Sequence, residues 1–129
     1  MPVVSSLTCD QLYLKFQSIV GNANLNRGRD RNMLSKALET LSPVQLMLGM
    51  YKYRGRPNMS VPALLRLQDE WVIWDDNIAK IELATFLENT VPTHYYVWKE
   101  LQEEENADSY AQSIAALTQL KAWANRVVL

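Results

Sequence analysis

The residue types that do chemistry are few in this chain and widely separated. His94 is the single histidine and Cys9 the single cysteine, far apart in sequence, so no zinc-ligand spacing and no local thiol–imidazole pair is encoded. Asp69, Glu70, Asp75 and Asp76 crowd carboxylates into one short stretch, but without the glycine and alternating ligands of a calcium loop. A carboxylate site of Asp76, Glu82 and Glu88 would have to be assembled by the fold. Neither a Gly-rich phosphate loop nor a nucleophile elbow is present. No catalytic residue, metal or cofactor is expected, and an enzyme with a carboxylate site stands last among the readings.

The chemistry of contact is better represented. Residues 1–66 carry nine Lys and Arg against three Asp and Glu, and residues 67–129 carry four against eleven, so a net charge of −1 conceals a basic half and an acidic half. Such asymmetry steers partners or is neutralised inside the fold. Arg27, Arg29 and Arg31 would meet Lys52, Arg54 and Arg56 if the helices bearing them formed an antiparallel hairpin. Positive charge at a helix C-terminus complements the dipole, whereas at an N-terminus it requires compensation, from Asp69, Glu70, Asp75 and Asp76, from an acidic partner or from phosphate. Trp71 and Trp74 would share one face of a continued helix; Trp71 extends an apolar stripe, while Trp74, beside Asp75 and Asp76, is the better candidate for exposure and partner contact. Glu100, Glu103, Glu104 and Glu105, with Asp108, form an acidic group at the end of a helix. It is read as a solvated face or as a docking surface, for a basic partner or as a mimic of the charge of DNA.

These residues must be positioned by helices. Thr8 with Gln11 and Ser42 with Gln45 have the spacing of capping boxes, Pro43 and Pro62 suit first turns, and Ser60 suits an N-cap. Apolar residues at three- and four-residue steps predict helices over about 9–20, 30–41, 43–53, 60–74, 77–88, 93–105 and 109–127. The segment 22–29 reads as a loop. The third helix, apolar on two sides, belongs in the centre of a core. The fifth should turn Ala79, Leu83, Phe86 and Leu87 inward, and the last Tyr110, Ile114, Leu117, Leu120, Ala124 and Val127. No sustained alternation marks a strand. The expectation is an all-α, single compact domain of six or seven short helices, spanning 1–129 with residues 1–7 as an N-terminal arm.

A length of 129 residues suits one domain, and 48% apolar residues at a mean hydropathy of −0.19 suit a soluble protein. The N-terminus lacks the basic and apolar regions of a signal peptide, and no apolar run approaches a membrane span, so a cytoplasmic location without membrane contact is expected. Asn58-Met59-Ser60 matches a glycosylation sequon but reads as a turn followed by a cap. From Asp30 to Trp71, the helix, the Ser42-Pro43 restart, the basic turn and the short helix ending in Trp71 resemble DnaD-type primosomal domains; the family usually has an aromatic residue near Ala63 and a basic or polar tail. The resemblance implies a nucleic-acid-binding replication accessory of helicase-loader type, kept as an alternative. The leading expectation is a non-enzymatic interaction protein, an adaptor or inhibitor of a larger machine that processes nucleic acid, of phage or mobile-element origin. Its partner is then another protein, with nucleic acid second.

Overall fold

The computed structural model describes residues 3–21, 25–88 and 90–129, and among these every regular element is helical. A 3-10 turn at Val4–Ser6 precedes α1 (Cys9–Val20), α2 (Arg27–Ala37), α3 (Pro43–Lys52), α4 (Val61–Arg66), α5 (Gln68–Trp71), α6 (Asp76–Leu87), α7 (Thr93–Leu101) and α8 (Ala107–Val128). The all-α class is as the sequence predicts, with eight α-helices among the described residues instead of six or seven. They gather into two compact units, Met1–Ala79 and Lys80–Leu129.

The first unit is built from strong local signals. Thr8 and Ser42 each accept the N–H of the residue three positions on, and Gln11 and Gln45 reach back to the cap N–H groups, closing both capping boxes. Ser60 caps α4 with Pro62 in its first turn. Gly21 ends α1 at φ 79°, a left-handed conformation that a side chain would strain. Both α2 and α3 pack on α1, and α3 also meets the 3-10 turn and α5. As expected of a central helix, α3 is buried from Val44 to Met50 without interruption. Leu12, Phe16 and Val20 of α1 are fully enclosed, as are Leu34 of α2 and Leu64 of α4.

Three expectations for this unit are corrected. First, α2 begins three residues before Asp30, because Asn26 caps it by accepting the N–H of Arg29, and it ends at Ala37 in a turn. The loop expected over 22–29 therefore overlaps α2; residues 22–24 lie outside the described residues. Second, α2 packs on α1 and α4 in place of forming a hairpin with α3. Third, the helix expected over 60–74 is broken at Leu67 into α4 and α5 and stops at Trp71, where Val72 turns extended. The third helix runs as expected, from Pro43 to Lys52 with Tyr53 as its C-cap.

In the second unit α7 and α8 pack as a hairpin. The helix expected to reach Glu105 ends at Leu101, so the glutamates that follow occupy the connection. Gln102 Nε2 donates to Ser113 Oγ at 2.8 Å, and Ser109 Oγ donates to Glu104 at 2.5 Å, fixing this corner. Tyr95 and Trp98 are the buried residues of α7, while α8 buries Ser109, Ser113, Ala116, Leu120, Ala124 and Val128. The inner face of α8 is thus offset from the predicted one: Tyr110 is 70% and Ile114 46% exposed, and Leu117 and Val127 are half-buried. Both faces have helical spacing. The buried face is the one on which Ser109, Ser113 and Ala116 let the two helices approach closely, and Ser113 takes the Gln102 hydrogen bond. On α6 the enclosed residues of this unit are Ile81, Leu83 and Ala84; Phe86 is exposed and Leu87 half-buried, against expectation.

Candidate docking surface

The segment from Trp71 to Asp75 is anchored on both sides of an exposed aromatic residue. Trp71 closes α5 fully buried, and its indole Nε1 donates to the Leu64 carbonyl at 2.9 Å. Its ring lies on the backbone of α3 at Gly49, where an added Cβ would stand 2.7–2.9 Å from three ring atoms. Two residues on, the Ile73 carbonyl accepts from Gln45 Nε2 at 2.8 Å. Asp75 then accepts the N–H groups of Asn77 and Ile78 at 2.9 and 3.2 Å and so caps α6. Between these anchors Trp74 is 65% exposed, beside the exposed Asp75 and Asp76. A large amphipathic ring held out by a fixed backbone loses little entropy when a partner covers it, the circumstance in which tryptophan dominates interfaces.

The hairpin expected to gather the six cations at one end is not formed, since α2 packs on α1 and α4. Arg29 Nε pairs with Asp30 at 3.0 Å, and Arg31 pairs with Asp10 of α1. Asp30 is fully buried and also accepts the Asn26 N–H at 2.9 Å, so its charge is satisfied within the first turn of α2. The compensating carboxylates are therefore Asp10 and Asp30, in place of the expected Asp69, Glu70, Asp75 and Asp76. Glu70 instead accepts from the Tyr53 hydroxyl at 2.5 Å. Burial foremost, then this bond and the Glu70 charge, raise the Tyr53 phenol above its ordinary pKa, with Arg56 opposing. Arg56 lies over the Tyr53 ring, 5.3 Å from its centroid. Arg27, Lys52 and Arg54 are exposed, and among the described residues no ion pair holds them. Arg27 borders a cleft of about 260 Å³ with Asp10, Tyr13, Leu14 and Gln17.

In the second unit Glu82 organises a small polar network. The Tyr95 hydroxyl donates to it at 3.2 Å, Lys99 Nζ stands 3.9 Å from it, and the same ammonium lies 4.6 Å from the Tyr95 ring centroid. Burial raises the Tyr95 phenol, with Glu82 adding and Lys99 opposing, and the contact with Tyr95 raises Lys99. Glu82 is thus engaged by Tyr95 and Lys99, while Asp76 and Glu88 are exposed. Among the described residues no group of three His, Cys, Asp or Glu could hold a metal, and no helix is long and apolar enough to cross a membrane.

Glu100, Glu103, Glu104 and Glu105 are all exposed around the α7–α8 connection, and only Glu104 has a described hydrogen bond. Sequence reasoning missed the neighbouring Tyr110 and Ile114, because it placed them in the core. Their four-residue spacing was the available signal; choosing between two adjacent helical faces required the size of the opposing side chains.

The chain matches no protein-family model, no curated protein and no solved structure.

Proposed function

We propose that this chain is a non-enzymatic interaction protein, an adaptor or inhibitor that docks on a larger protein through Trp74. One observation carries the reading: Trp74 is 65% exposed while Trp71, three residues earlier, is fully buried and tethers the same segment. An apolar ring excluded from the core and held on a pinned backbone is suited to filling a pocket in a partner. The nucleic-acid reading draws support from the exposed Arg27, Lys52 and Arg54, but Arg29 and Arg31 have carboxylate partners within the chain. The nucleic-acid-processing machine and the phage or mobile-element setting belong to the proposal as the class of target.

The test is affinity capture from the native host with wild type, Trp74→Ala and Arg27, Lys52, Arg54→Glu variants, each with and without nuclease. A discrete protein captured by wild type, resistant to nuclease and lost with Trp74→Ala, is expected, with the melting temperature of that variant within about 2 °C of wild type, since an exposed side chain contributes little to stability. Recovery of nucleic acid alone, lost with the arginine and lysine changes, would replace this reading with direct nucleic-acid binding.

A further inference from the structure

The first turns of α8 bring together two features that have no use within the chain. Tyr110 and Ile114 lie one helical turn apart on the same side of α8, 70% and 46% exposed, and the half-buried Leu117 continues their line. The three run over roughly 10 Å of helix axis at 1.5 Å per residue, the footprint of two turns of a packed helix. Just before them stand Glu100, Glu103, Glu104, Glu105 and Asp108, all exposed. Asp108, in the first turn of α8, is favoured there by the helix dipole. Glu100, Glu103 and Glu105 have no such account: they lie at or beyond the C-terminal end of α7, where negative charge is disfavoured, and among the described residues none has a side-chain ion pair or hydrogen bond. An apolar line with uncompensated negative charge at one end is complementary to a helix with an apolar face and a cluster of lysine or arginine.

The geometry points to the Tyr110–Ile114–Leu117 face of α8 and the adjoining glutamates as a docking surface for a basic amphipathic helix of another protein. It is a second surface, independent of Trp74, and it gives an adaptor the second site that joining two proteins requires. Apolar contact supplies affinity there. The glutamates set the direction in which the partner helix lies and raise its rate of encounter at low salt.

The probe is a synthetic helix of about five turns with leucines at i, i+3, i+4 and i+7 and lysines elsewhere. Two controls accompany it: the same composition in scrambled order, and a version with glutamate in place of lysine. Fluorescence anisotropy is measured with wild type, Tyr110→Ala, Ile114→Glu, Glu100, Glu103, Glu105→Gln and Trp74→Ala, each checked for folding by circular dichroism. Tyr110→Ala guards against misfolding, because that ring is mostly in solvent. The expected result is binding of the ordered basic peptide alone, weakened about tenfold by Tyr110→Ala, by Ile114→Glu and by the triple glutamine variant, and unchanged by Trp74→Ala. Equal binding of the scrambled or acidic peptide, or indifference to Tyr110→Ala, would overturn the inference and leave the Trp74 reading intact. Self-association of the free protein abolished by Ile114→Glu would also overturn it, by making a second copy the occupant.

Discussion

Replacing Gly49 by alanine sets two opposite effects on one atom. In the middle of α3 a methyl group should help, since alanine is favoured over glycine in a helix interior by about 1 kcal/mol. Against this, the new Cβ would stand 2.7, 2.8 and 2.9 Å from Cδ2, Cε2 and Cε3 of Trp71, roughly 1 Å inside ordinary carbon–carbon contact. The ring has no retreat, because Trp71 is fully buried and its Nε1 is tied to the Leu64 carbonyl at 2.9 Å. Overpacking of this kind costs about 1–3 kcal/mol, and a tethered ring on a backbone belongs at the upper end. The net expectation is a loss of about 2 kcal/mol, a fall in melting temperature of about 6 °C for a chain of this size. Urea unfolding followed by circular dichroism measures it. The decisive arm repeats the change in a Trp71→Leu background: with the fused ring gone, Gly49→Ala should stabilise by about 1 kcal/mol, the helix preference alone. Stabilisation in the wild-type background, or the same loss in both, would refute the contact.

Two further outcomes follow from polar groups engaged within the fold. Asp30→Ala should destabilise by about 2 kcal/mol, because it removes a fully buried carboxylate that accepts the Asn26 N–H and pairs with Arg29; hydrogen exchange should show the loss concentrated in the first turn of α2. Tyr95, Tyr53 and Lys99 all hold their protons more tightly in the folded chain than in the unfolded one. Their contribution is therefore complete below pH of about 10 and is lost as pH rises through the folded values, where the unfolded state binds fewer protons. Tyr95→Phe should flatten that alkaline decline in a pH series of denaturant melts; an unchanged slope would show that the fold does not hold the Tyr95 proton more tightly than the unfolded chain does.

How much was legible in the sequence depended on range. The caps at Thr8, Ser42 and Ser60 were readable to the residue, since each is satisfied within four positions by side chains whose reach is fixed. The start of α2 was not, because Asn26 and Asp30 are both good caps. Here both act: Asn26 takes the Arg29 N–H while Asp30 reaches back to the Asn26 N–H. The two tryptophans were divided correctly by the apolar stripe through Trp71 and the acids beside Trp74, although the departure from helix at Val72 has no strong local signal. The inner face of α8 was misjudged because hydrophobicity favours Tyr110 and Ile114, whereas close helix pairing favours Ser109, Ser113 and Ala116. The basic cluster was argued from a hairpin of α2 and α3, and long-range packing instead sets α2 on α1 and α4.

Gln45 shows what a shared side chain does to the freedom of a sequence to change. At the third position of a helix that opens with serine, glutamate and glutamine ordinarily serve equally, since only a carboxyl or amide oxygen is needed to accept the cap N–H. Here Gln45 Oε1 takes the Ser42 N–H at 3.1 Å while Nε2 donates to the Ile73 carbonyl at 2.8 Å, beside Trp74. Glutamate would keep the first bond and face a carbonyl with a charge in place of the second. The usual interchange is thereby closed, and drift at this position toward an equally good helix opener would release the Ile73 carbonyl, 28 positions away, and loosen the tryptophan presented beside it.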